Sequence, residues 1–170
     1  MFLAGAIATD GFAGGECAMI RVKKILYPTD FSSYSNQAYF HALGLAEAYG
    51  ASLTIVYVYT PGSERQGDPS AERRYWRNQL EQIRPTNANI PVSHVLLEGD
   101  AATEIVQYAD EAGVDVIIIG THGRTGVDRL VMGSVAEKVM RESTCSVLVV
   151  KLPRGSRATE RPRLEVSGVA

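Results

Sequence analysis

Cysteine occurs only twice in the 170 residues, at Cys17 and Cys145. Two isolated thiols make neither a disulfide framework nor a metal-ligand spacing. They fit a reducing compartment, and a cytoplasmic location is expected. Excess basic charge is also lacking: 17 Lys and Arg stand against 19 Asp and Glu, a formal net charge of −2. Nothing global therefore points to nucleic acid or to a membrane surface as a partner. No apolar run approaches the roughly 20 residues that a spanning helix needs. Two phosphate-binding fingerprints are missing as well. There is no Gly-Lys-Ser/Thr ending of a Walker A loop, and no G-x-G-x-x-G follows the first apolar run.

The two ends of the chain differ from its middle. The opening "MFLAGAIATDGFAGGECAM" is apolar and glycine-rich, but its first basic residue is Arg21 and Asp10 interrupts it. Those features argue against a signal peptide. Residues 1–20 are expected to form a flexible extension and residues 21–152 the folded domain. Residues 153–170, rich in Pro, Arg and Ser without apolar period, are expected to form a mobile tail.

Between the ends, apolar runs alternate with amphipathic stretches. "KKILYP" (23–28), "SLTIVYVY" (52–59), "VSHVLLEG" (92–99), "VDVIIIG" (114–120) and "SVLVV" (146–150) read as strands. Ala38, Ala42, Leu45, Ala46 and Tyr49 share one helical face, with Gly50 as the stop. Trp76, Leu80 and Ile83 mark a second helix. Asp100 is placed to cap a third, which carries Ile105, Ala109 and Ala112 and stops at Gly113. Strand–helix alternation of this kind implies a mainly parallel sheet covered on both faces. Ligands of such sheets bind beyond the carboxyl ends of the strands, at a topological switch point.

Two segments lie at those ends and carry chemistry. The first is "YPTDFS" (27–32). Its Asp30 offers an acceptor for an adenine amino group or a ribose hydroxyl; the structural alternative is a helix cap, a role for which Ser32 and Ser33 compete. The second is "GTHGRTGVDRLVMGS" (120–134), with four glycines. Gly120 and Gly123 are expected to let the backbone approach a phosphate, and a valine at 120 or 133 is expected to abolish that approach. Gly133 and Ser134 open a helix, whose unpaired N–H groups favour an anion. Ser134 with Glu137 also reads as a capping box, compatible with a phosphate contact by the same hydroxyl. Arg124 and Arg129 are available to phosphates. His122 has no evident partner as a general base.

"KKILYPTDFS", "GTHGRTG", "GSVAEKVM" and "CSVLVV" together resemble the universal stress protein family over roughly residues 21–151. The spacing Gly120-x2-Gly123-x9-Gly133-Ser134 is similar to the signature of its ATP-binding branch. The resemblance implies an open five-stranded parallel sheet in the order 3-2-1-4-5, Rossmann-like, with helices on both faces. It implies ATP, accompanied by magnesium or manganese, between strands one and four. Pro28 and Thr29 lead to Asp30, which with Val58 would meet the adenine. Ile119, Gly120, His122, Gly123 and Arg124 would line ribose and phosphates, and Gly133, Ser134 and Val135 would grip the phosphates. It further implies a homodimer paired through strand five (146–150). One departure is Tyr57, where many relatives have His.

A nucleotide-dependent stress or signalling protein is the first expectation. A slow ATPase or phosphotransferase is the alternative, for which Arg124 and Arg129 supply charge but no base is evident. An interaction scaffold without nucleotide is the third, and the intact glycine spacing speaks against it.

Overall fold

The computed structural model describes residues 21–60, 69–85, 87–121 and 132–151. Strands and helices alternate as β1 (Lys24–Pro28), α1 (Ser33–Tyr49), β2 (Ser52–Tyr59), α2 (Pro69–Glu81), β3 (Val92–Glu98), α3 (Ala101–Ala112), β4 (Val116–Gly120), α4 (Ser134–Glu142) and β5 (Ser146–Val150). Every strand pairing is parallel, and the order is β3-β2-β1-β4-β5, as the resemblance implies. No helix among the described residues is long and apolar enough to cross a membrane.

The central strands are apolar on both faces because both faces are covered. Ile25, Tyr27 and Ile118 enter one core layer with the buried Ala38, Ala42 and Ala46 of α1 and Trp76 and Leu80 of α2. Leu26, Ile117 and Ile119 enter the other with Ile105 and Ala109 of α3 and Ala136 and Val139 of α4. Small residues on the buried face of α1 bring that helix close to the sheet. Leu45 is only partly buried, and Tyr49 is exposed. Tyr49 is the last helical residue, and just beyond it Ala51 N–H bonds the Ala46 carbonyl. Ile83 lies beyond the end of α2 and packs against the first layer from the following turn.

Helix boundaries follow local chemistry in most places. Ser32 caps α1 by accepting from Ser35 N–H, and Asp100 caps α3 by accepting from Thr103 N–H. Gly50 and Gly113 end those helices in the left-handed conformation, each at φ 62°.

The start of α4 corrects the expected capping box. Gly133, not Ser134, is the N-cap, and it has no side chain to cap with. Its N–H donates to the Thr121 carbonyl at 2.7 Å, which ties it to the end of β4, and its own carbonyl accepts from Glu137 N–H at 3.0 Å. The helix therefore begins one residue earlier than a Ser134 cap requires. Glu137 instead faces Arg141 one turn on, at 3.6 Å.

Candidate functional site

The connections cross from the α1/α2 layer to the α3/α4 layer between β1 and β4, the switch point of the sheet. These strands pair only at Ile25–Val116 and Leu26–Ile117. Beyond that point each keeps its outer partner: Pro28 stays opposite Val56, and Gly120 opposite Val150. The carboxyl ends of β1 and β4 thus open a cleft of about 300 Å³.

Most of the expected site residues line this cleft. Pro28, Thr29 and Asp30 come from the end of β1, and Val58 from β2. Ile119 and Gly120 end β4, while Gly133, Ser134 and Val135 begin α4. His122, Gly123 and Arg124, with Arg129, lie outside the described residues. Ala101 and Ile105 of α3 add a wall that the motifs did not indicate. The signal for it was the parallel topology, which puts the β3–α3 turn at the same edge.

The turn after β1 is tightly bonded. Thr29 is buried and its N–H donates to the Val56 carbonyl at 2.8 Å. Its hydroxyl accepts from Phe31 N–H at 3.1 Å and lies 3.3 Å from the Ser35 hydroxyl. Asp30 accepts from Ser32 N–H through Oδ1 at 3.0 Å and does not cap α1. Its Oδ2 has no partner among the described residues, so one carboxylate oxygen is held and the other is open to a donor. Behind the turn, Tyr27 donates its hydroxyl proton to the Ser35 carbonyl, and burial pushes its pKa up to about 12.

At the opposite wall, the first N–H groups of α4 have no intrahelical acceptor, because Glu137 makes the first such bond. The Ser134 hydroxyl makes no cap and has no partner among the described residues. Beside it, Lys138 joins α4 to the start of α3, bonding Asp100 at 3.0 Å and the Thr103 hydroxyl at 2.8 Å. Bonds from Thr103 and Lys138 lower the Asp100 pKa to about 2. The wall combines donors without an intrahelical acceptor with a hydroxyl, the chemistry of an anion site.

Residues 21–151 match the family model described as the universal stress protein family.

The chain belongs to the universal stress protein family.

It is 34% identical over 142 residues to a universal stress protein of Methanocaldococcus jannaschii, covering 78% of this chain and 84% of that protein. The solved structure of a second universal stress protein of that organism is 29% identical, with a TM-score of 0.63, and the match covers 79% of this chain and 99% of that one. A universal stress protein solved in complex with cAMP is 26% identical, with a TM-score of 0.55, over 77% of this chain and 98% of that one.

Within this universal stress protein, Gly120 has a packing role that its motif position did not suggest. A Cβ there would lie 2.8 Å from the Tyr34 carbonyl oxygen and 3.0 Å from its carbon. The missing side chain makes room for the first turn of α1, whatever occupies the cleft. Tyr57, the departure noted in the sequence, buries its ring against Phe31 and Trp76, in the layer of α1 and α2.

Proposed function

We propose that this universal stress protein binds an adenine nucleotide, foremost ATP, in the cleft between β1 and β4, and that occupancy serves as a regulatory signal. One observation carries the reading. An acceptor held for a base, Asp30 Oδ2, and a donor set suited to phosphate, the start of α4 with Ser134, line the two sides of one cavity. Apolar Val58 and Ile119 between them suit the faces of a purine and its ribose. Asp30 is the only carboxylate among the described lining residues, so the negative charge of a nucleotide would meet little opposition within the cleft. A relative solved with cAMP supports an adenine nucleotide as the class of ligand.

A divalent cation would be carried by the phosphates. Among the described residues no three His, Cys, Asp or Glu side chains group to hold one, and magnesium commonly keeps its waters and substrate oxygens. His122, Gly123 and Arg124 complete the proposed phosphate-binding set.

The regulatory output we propose runs through a homodimer joined at the β5 edge. Leu148 on that edge is 38% exposed. An edge strand with an exposed apolar residue is a ready site for pairing.

The test is calorimetric titration of nucleotide-free protein with ATP, AMP, cAMP and GTP, together with mass spectrometry of nucleotide released from the purified protein. Micromolar-range binding of ATP in preference to GTP is expected. Absence of binding by every adenine nucleotide would sink the reading. Steady-state hydrolysis above ~1 s⁻¹, within the range of ordinary enzymes, would favour the ATPase alternative.

A further inference from the structure

Phe31 is the one residue other than glycine with a positive φ, 61°, among those described. A bulky L-residue adopts this left-handed conformation only when its surroundings hold it there. What holds Phe31 is aromatic. Its ring stacks on Trp76 of α2 at 5.7 Å and 19°, and lies 5.0 Å from the Tyr57 ring. Tyr57 and Trp76 are in turn 4.8 Å apart. Neither Phe31 nor Trp76 lines the cleft.

The conformation at Phe31 sets what precedes it. Rotation about φ of Phe31 moves Ser32 N–H relative to Asp30, and that N–H is what holds Asp30 Oδ1. Phe31 N–H in turn holds the Thr29 hydroxyl. If the ring left its place, Phe31 would relax to an ordinary φ and the Asp30 carboxylate would lose its anchor.

We propose that Phe31, Tyr57 and Trp76 form an aromatic clamp that positions Asp30 for adenine and couples occupancy of the cleft to α2. The proposal rests on the reading of the cleft as an adenine site. Phe31 acts as a positioning residue: it touches no ligand and works through the Asp30 turn. Trp76 is the single tryptophan of the chain, so its emission reports the state of the clamp.

The experiment compares wild type with Phe31→Ala, Phe31→Tyr, Trp76→Ala and the double variant Phe31→Ala/Trp76→Ala. Alanine removes the ring and leaves an L-residue that disfavours the left-handed conformation. ATP and GTP binding are measured by calorimetry, Trp76 emission is followed during the ATP titration, and circular dichroism confirms folding. In wild type, ATP shifts the Trp76 emission. In Phe31→Ala, ATP is expected to bind roughly tenfold more weakly, the scale of one hydrogen bond to a charged group, with GTP unchanged. Phe31→Tyr is expected to keep both affinity and the emission shift. Trp76→Ala is expected to match Phe31→Ala, and the double variant to lose no more than either, because the two act on one turn. Should Phe31→Ala fail to fold, Phe31→Leu, which keeps apolar bulk without the stacked ring, carries the same expectation. A folded Phe31→Ala or Phe31→Leu variant with the wild-type ATP affinity and ATP-to-GTP ratio overturns the clamp and leaves the adenine site standing. Wild-type protein that binds no adenine nucleotide overturns both.

Discussion

A Cβ on Gly120 would stand 2.8 Å from the main-chain oxygen of Tyr34, closer than side chains approach backbone in folded proteins. The last residue of β4 and the first turn of α1 are therefore fitted to each other without a side chain between them. Gly120→Ala is expected to lower stability by about 1–3 kcal/mol, the usual effect of overpacking. Gly120→Val should lower it further. Urea unfolding followed by circular dichroism measures this, and a wild-type midpoint in Gly120→Ala would contradict the close fit. Any loss of nucleotide binding in Gly120→Val has to be separated from this loss of packing.

Two serines at helix starts should behave in opposite ways. Ser32 caps α1, and Ser32→Ala is expected to reduce stability by about 1 kcal/mol. Ser134 makes no cap, so Ser134→Ala should change stability by less than about 0.5 kcal/mol. Its ATP affinity should nevertheless fall roughly tenfold if the hydroxyl meets phosphate. Denaturation midpoints and calorimetry on both variants decide it. A cap-sized stability loss in Ser134→Ala would count against the boundary at Gly133.

Stability should decline in acid through two carboxylates at opposite ends of the sheet. Asp115 accepts from the N–H groups of Lys23 and Lys24 at 2.7 and 2.8 Å, which binds the start of β4 to the start of β1. Those bonds lower its pKa, as Thr103 and Lys138 lower that of Asp100 from 3.8 to about 2. Because the folded values are depressed, their contribution is present above the unfolded value near 4. It is lost as pH falls through the folded value. The stability difference between wild type and Asp115→Ala should shrink as pH falls from about 5 toward 2. A difference constant over that range, in urea melts at stepped pH, would rule out Asp115 as a source of the acid sensitivity.

The β5 edge offers a test of assembly. Leu148→Lys places a charge on an exposed apolar position of an edge strand, a substitution that natural sheets use to block pairing. It is expected to leave the fold intact and convert a dimer to a monomer, as read by light scattering on a sizing column. A monomeric wild type, or a dimeric Leu148→Lys variant, would exclude pairing through that edge.

Local sequence by itself determined the alternation of elements, because apolar period and cap chemistry act over a few residues. Ser32, Gly50, Asp100 and Gly113 mark helix ends through bonds to their own neighbours, and the all-apolar run of β4 announces a buried strand. Parallelism then puts Asp30 and the glycine segment at one edge, so most of the cleft could be anticipated. Tertiary structure alone decided the rest, because the deciding contacts join residues far apart in the chain. Gly133 N–H is claimed by the Thr121 carbonyl, which moves the helix start away from the predicted serine cap. The absent Cβ of Gly120 is required by the backbone of α1, a demand invisible in a motif that suggests ligand access. The start of α3 becomes a cleft wall only once the sheet order is set, and Phe31, in its left-handed conformation, stacks on a Trp76 that only the packing of α2 brings against it. Patterning specifies which faces are buried; close packing decides which individual atoms meet there.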